Sequence, residues 1–175
     1  MPKILENVKE NLLQEAKRQV FEIGYSSVTI RSVASACGIG VGTVYNYFES
    51  KDGLIAGFML EDWGECLRAI DEKCIASEMI EPVLRCIFDE LKAFTDKYAV
   101  LFQDKSARES FASSYQAKHE LVRSQIARPL LKFCEAQTKV SAKYLAEFTA
   151  ESMLIWTLSG GTYEDVSGVL LQLFA

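Results

Sequence analysis

With 175 residues, 49% hydrophobic and 25% charged, the chain has the size and balance of one globular domain, or of a small head on a modest body. That composition excludes wholesale disorder, collagen-like repeats and low-complexity scaffolding. A net charge of −5 excludes a general basic coat for nucleic acid, so any nucleic-acid contact must be confined to a local surface.

Apolar residues recur at intervals of three and four, and no segment alternates with a period of two, so an all-α fold is expected. Ile4, Val8, Leu12, Ala16 and Val20, with Leu5, Leu13 and Phe21 on the same side, predict a first helix that stops near Gly24. A short helix over Thr29–Ala36 follows, with Thr29 as its N-cap. Val41–Phe48 forms another, and Ser50 caps a longer one from Lys51 to about Ile75. Glu81–Pro82 places proline in the first turn of a helix that runs to about Lys97. A short element over Tyr98–Lys105 precedes a long helix, Ser113–Lys139, in which Pro129 predicts a kink or break. Ala142–Leu158 and Tyr163–Phe174 close the chain, separated by Gly160–Gly161. No secretory or transit signal is visible, and the longest apolar stretches, such as Met153–Leu158, fall well short of the roughly 18 residues of a membrane span. A cytoplasmic protein without membrane contact is expected.

The five cysteines, Cys37, Cys66, Cys74, Cys86 and Cys134, are odd in number, scattered and without a CxxC pair. They read as buried free thiols rather than a disulfide framework. A single histidine, His119, stands far from them in sequence, so no metal site is expected. With no HExxH, GxSxG or phosphate loop, no catalytic residues and no cofactor are assigned.

The informative stretch is TIRSVASACGIGVGTVYNYF, from Thr29 to Phe48. Two short helices joined by a tight turn fit a helix-turn-helix. Ala34 sits where the helices would cross, and Gly38 can take the left-handed conformation that a sharp turn needs. Val33, Ile39 and Val44 supply the apolar seam. Thr43, Tyr45, Asn46 and Tyr47 are left to reach base edges or phosphates. Gly38, Gly40 and Gly42 stand two apart, which matches neither GxGxxG nor GxxxxGK[ST], so a nucleotide loop is set aside.

The run from about Leu13 to Leu54 resembles the DNA-binding head of TetR-family transcriptional regulators. The matched residues are Gly24, Tyr25, Thr29, Ala34, Gly38, Gly42, Thr43, Tyr45, Tyr47, Phe48 and Lys51, in the phrases FEIGYSSVTIRSVASACGIG, GTVYNYF and SKDGL. The chain departs from the family pattern at Gly40, where serine is usual, and at Val41, where lysine is common. The resemblance implies a three-helix DNA-binding head over residues 1–52 and a helical effector-binding and dimerisation body over 53–175. It implies that Thr29 and Arg31 hold backbone phosphate. Val41, Gly42 and Thr43 open the recognition helix, Tyr45, Asn46 and Tyr47 divide between phosphates and bases, and Lys51 adds a charge. The partners it implies are a palindromic double-stranded operator, a small-molecule effector of unknown identity and a second copy of the chain.

Charge is distributed accordingly. Lys3, Lys9, Lys17, Arg18, Arg31 and Lys51 balance Glu6, Glu10, Glu15, Glu22, Glu49 and Asp52, so residues 1–52 are neutral and the whole −5 lies beyond them. In the body, Trp63, Phe94, Phe102, Phe111 and Trp156 are the candidate effector contacts. Glu61, Asp62 and Glu65 read as a solvated helix face that could otherwise meet a cationic ligand. The terminal helices, with Ala146, Met153, Leu154, Trp156, Val166, Val169, Leu170, Leu173 and Phe174, are expected to form the dimer surface. The expected function is a ligand-released repressor. The alternative is a helical interaction module that keeps the head shape without reading DNA, which the neutral head and Val41 favour.

Overall fold

A computed structural model describes residues 7–112, 115–135 and 141–174. Ile4 and Leu5 of the predicted first helix, and the predicted ends Ser113 and Lys139 of the long one, lie outside them. Every regular element among the described residues is helical: α1 (Val8–Ile23), a 3-10 turn (Tyr25–Ser27), α2 (Ile30–Ala36), α3 (Val41–Tyr45), α4 (Lys51–Ala76), α5 (Ile80–Lys97), α6 (Ala99–Gln103), α7 (Lys105–Phe111), α8 (Tyr115–Cys134), α9 (Ala142–Leu158) and α10 (Tyr163–Leu173). No described helix is long and apolar enough to cross a membrane.

Two compact units share the chain. One runs through Asp62 and also takes in the stretch from Ala99, and the other holds Trp63–Tyr98 and the remainder from α8 onward. The division falls inside α4, the helix that begins at Lys51. In the first unit α1 buries Leu12, Leu13, Ala16 and Val20, the four-step stripe that the sequence shows. Gly57 of α4 lets that helix approach closely. A Cβ there would lie 2.7 Å from Leu13 Cδ2 and 3.1 Å from the Phe48 ring.

In the second unit the buried face of α9, Leu145, Ala146, Thr149, Ala150, Met153, Leu154 and Thr157, joins Val83, Leu84, Ile87, Phe88 and Leu91 of α5 in one core. Trp63, Cys66, Ile70 and Cys74 of α4, Ile126, Leu130 and Cys134 of α8, and Val166 and Leu170 of α10 belong to it as well. At roughly 1.5–3 kcal/mol per large apolar side chain buried, this core is the unit's main source of stability. Ala146, Met153, Leu154, Val166 and Leu170 therefore serve the chain's own core instead of the expected dimer surface. The apolar residues that α9 leaves in solvent are Tyr144, Phe148, Ile155, Trp156 and Leu158, joined on α10 by Val169 and Leu173.

Three element readings change. The predicted Tyr98–Lys105 element is α6, and a further helix, α7, follows it in the stretch before Ser113 that the sequence reading leaves without an element; the Asp104 carboxylate accepts from the Ala107 amide at 2.9 Å and starts it. Helix α3 ends at Tyr45, and Phe48 lies beyond it, turned into the core. Helix α8 continues through Pro129 without a break, with Ile126, Ala127 and Leu130 around it buried. Of the cysteines, Cys66, Cys74 and Cys134 are buried as expected, whereas Cys37 and Cys86 are only half-buried. Burial pushes the Cys66 thiol up to about 12, and those of Cys74 and Cys134 up to about 11.

Candidate nucleic-acid interface

The local chemistry of residues 24–52 explains how α3 is held. Thr29 is extended (φ −134°, ψ 154°) and its hydroxyl accepts from the Ser32 amide at 3.0 Å. Ser32 Oγ in turn accepts from the Thr29 amide at 3.1 Å, which completes a capping box. The Ser32 hydroxyl donates to Gln19 Oε1 at 2.6 Å, and Gln19 Nε2 donates to Glu15 Oε1 at 2.7 Å. Gln19 is buried, so this chain of bonds satisfies a polar group inside the seam between α1 and α2.

Helix α2 ends in a Schellman turn. The Ile39 amide donates to Ala34 O at 3.0 Å and the Gly38 amide to Ser35 O at 3.1 Å, with Gly38 at φ +68°. The expected left-handed glycine is therefore present, and its role is to terminate α2 and aim α3. Val33, Ala34 and Val44 are fully buried between the helices, while Ile39 is only half-buried.

With Val44 and Phe48 facing inward, the outward residues of the reading stretch are determined. Tyr45 is 54% exposed and Tyr47 47%, and Asn46 between them is also exposed. Val41 and Thr43 are half-buried, and at Gly42 an added Cβ would meet nothing within 4 Å. Arg31 stands in solvent on α2. Thr29 is exposed too, with one lone pair used in its cap and its O–H left to donate.

Lys51 is placed differently from a simple surface charge. Its Nζ lies 3.8 Å from the centroid of the Tyr25 ring and donates to Tyr25 O at 3.1 Å. Tyr25, one of the residues that carry the family resemblance, is a hub whose partners the sequence pattern does not show. It is buried, and its hydroxyl donates to Asp52 Oδ1 at 2.6 Å. Burial, and then the Asp52 carboxylate, push the pKa of that hydroxyl up, which keeps it a donor. Gly24, at φ +80°, provides the bend before it.

Other head charges are paired within the chain. Lys17 Nζ meets both oxygens of Asp62 at 2.7 and 2.9 Å, which removes Asp62 from the solvated acidic face. Arg18 bridges Glu15 at 2.6 Å and also binds Glu22, and its guanidinium holds the Glu15 carboxyl below the usual carboxylate range. Ser50 caps α4 as expected, its hydroxyl accepting from the Gly53 amide at 3.0 Å.

Two of the five aromatic effector candidates come together. Trp63 and Phe94 meet edge to face at 5.4 Å, Phe94 lies 4.8 Å from Tyr98, and the Trp63 indole donates to Gln125 Oε1 at 2.8 Å. Phe111 instead faces Tyr25 in the first unit, at 6.3 Å between centroids, and Phe102 belongs to that unit as well. Trp156 lies across Gly161 at the end of α9 and is 37% exposed. Among the described residues no group of three His, Cys, Asp or Glu side chains could hold a metal ion.

Comparison with known proteins agrees with this geometry. Residues 12–57 match the model of the bacterial regulatory proteins, tetR family. Over 155 residues the chain is 23% identical to the HTH-type transcriptional regulator UidR of Escherichia coli K12, covering 86% of this chain and 78% of that one. Its fold resembles that of the fatty acid degradation regulator FadR from Bacillus halodurans (TM-score 0.65, 16% identity, 98% of this chain and 96% of the other). It also resembles Thermus thermophilus FadR, a TetR-family repressor in complex with lauroyl-CoA (TM-score 0.64, 18% identity, 95% and 92%).

Proposed function

We propose that this chain, a DNA-binding transcriptional regulator that belongs to the TetR family, is a repressor released from its operator by a small molecule. The observation that carries the DNA-reading part is the exposure of Tyr45, Asn46 and Tyr47 on a stretch anchored by buried Val44 and Phe48. A segment so anchored can enter a major groove with its side chains already ordered, and Gly42 leaves room for close approach to the backbone. In this reading Thr29, Arg31 and Lys51 hold phosphates. Thr43, Tyr45, Asn46 and Tyr47 divide between phosphates and base edges, and Val41 meets a thymine methyl.

Residues 1–52 carry the reading function, and residues 53–175 carry effector binding and dimerisation. The exposed Tyr144, Phe148 and Ile155 fall four and seven residues apart on one face of α9, and Val169 and Leu173 extend the apolar surface on α10. A twofold homodimer would cover them, bind a palindromic operator and work in the cytoplasm. The effector is a small molecule of unknown identity held in the helical body, with the paired Trp63 and Phe94 the best placed of the five aromatic candidates. It releases DNA by favouring a conformation whose two heads are wrongly spaced.

A gel-shift assay with the DNA flanking the protein's own coding region tests the reading, with lauroyl-CoA, the ligand of the Thermus relative, as the first effector probe. Retardation that is lost in Thr43→Ala, Asn46→Ala or Tyr47→Ala supports it. Retardation unchanged in all three overturns the assignment of α3 as reader.

A further inference from the structure

The first unit contains a polar junction centred on the Asp52 carboxylate. The Asp52 carboxylate, in the first turn of α4, accepts from two hydroxyls: Tyr25 on Oδ1 at 2.6 Å and Ser110 of α7 on Oδ2, the latter at short range. Phe111 of α7 lies beside the Tyr25 ring at 6.3 Å. Ser26, next in sequence, donates to Asp104 Oδ2 at 3.3 Å, and the other oxygen of Asp104 caps α7. Lys51 covers the opposite side of the junction, over the Tyr25 ring and on its carbonyl.

The topology gives this junction its meaning. Helices α2 and α3 are locked to each other by the Schellman turn and by buried Val33, Ala34 and Val44, so they move as one body. That body packs on α1 through the Ser32–Gln19 hydrogen bond, and its two chain attachments are the entry before Thr29 and the exit after Phe48. The Tyr25–Asp52 hydrogen bond joins those two attachments and closes the loop that contains the whole of α2 and α3. Ser110 ties the closed loop to α7. Hydrogen bonds to an ionised carboxylate are the strong ones, and two on one carboxylate leave little freedom of pose.

We propose that Tyr25 and Ser110, acting through the shared Asp52 carboxylate, are positioning residues of the reading head: they fasten α7 to both attachments of α2–α3 and so fix the pose in which α3 meets the operator. This inference rests on the DNA-reading function argued above. Helix α7 lies in sequence between α5 and α8 of the other unit, so the junction also gives the head a fixed point on the chain segment that joins those two helices.

The test uses the full-length chain without effector, in fluorescence-anisotropy titrations of an operator duplex and a scrambled duplex. Ser110→Ala and Tyr25→Phe delete one hydroxyl each, and Tyr25→Phe keeps the ring that Lys51 and Phe111 touch. Each should weaken operator binding about tenfold, the scale of one charge-assisted hydrogen bond. Scrambled-duplex binding should stay near the parent's, and each variant should remain folded at the assay temperature, with a melting point lowered by the lost hydrogen bond. Ser110→Thr, which keeps the hydroxyl, should restore affinity, and the double variant should lose much less than the product of the single losses, because both act through one carboxylate. Operator affinity unchanged in both single variants, equal losses on both duplexes, or fully multiplicative losses would overturn the inference. If the parent chain binds neither duplex better than the other, the DNA-reading function fails and this inference with it.

Discussion

The neutral head makes salt dependence a sharp quantity to measure. In the first unit Lys17 is committed to Asp62, Arg18 to Glu15 and Glu22, and Lys105 lies 3.7 Å from Glu109. Lys9 on α1 and Arg108 on α7 are also exposed, but Arg31 and Lys51 are the two cations that the proposed reading places against phosphate, with Lys51 already donating to Tyr25 O. Two phosphate contacts per protomer make about four in a twofold dimer, and at about −0.9 per contact the slope of log K against log salt is about −3.6. Between 50 and 200 mM salt, affinity should then fall by roughly two decades, against the three to five decades of a contact-rich protein. Arg31→Gln removes two contacts from the dimer and should bring the slope to about −1.8. It should weaken all duplexes alike and leave base preference unaltered. The assay is anisotropy titration of operator and scrambled duplexes at several potassium chloride concentrations. A parent slope steeper than about −7, or a slope that Arg31→Gln leaves unchanged, would refute the count of cations and the placement of Arg31 against phosphate.

Three further outcomes are expected. Gly38→Ala forces a Cβ into the left-handed turn at φ +68° and should cost about 1–2 kcal/mol, read as a lower midpoint in thermal unfolding followed by circular dichroism. Because burial raises the thiols of Cys66, Cys74 and Cys134, they should stay protonated and unlabelled by a thiol reagent in the native chain at pH 8, while half-buried Cys37 and Cys86 label slowly; all five should react after unfolding, and mass spectrometry of the labelled peptides distinguishes the cases. Phe148→Lys with Ile155→Lys places charge on the exposed α9 face and should convert the dimer to a helical monomer in sedimentation, whereas a parent chain that sediments as a monomer at micromolar concentration would remove the dimer from the proposal.

The head was largely legible in the sequence because its determinants are local. A capping threonine, a left-handed glycine and an alanine at a helix crossing act within a few residues of where they stand, and Thr29, Gly38 and Ala34 are found in those roles. The Tyr25–Asp52–Ser110 junction was not legible, since it joins residues 27 and 58 positions apart and leaves no periodic trace. In the sequence pattern the apolar terminal helices form one sticky surface. An apolar residue is equally suited to a core and to an interface, and only the placement of α5 and α8 against α9 separates buried Ala146, Met153 and Leu154 from exposed Phe148 and Ile155. Phe102 and Phe111 fall with the body in sequence for a similar reason. The division that sends them to the first unit falls between Tyr98 and Ala99, where the apolar pattern shows no change.

Selection of bound duplexes from a randomised pool, with the parent chain and with Asn46→Ala and Tyr47→Ala, tests most directly whether α3 reads DNA. The parent should enrich a palindrome whose half-sites lie about one helical turn apart, roughly 34–36 Å, or a little more. Each variant should lose preference at symmetry-related positions, by about 1–3 kcal/mol for a good base contact. Enrichment of no sequence by the parent, or the same palindrome at the same strength from all three proteins, would contradict the assignment of this helix as the reader.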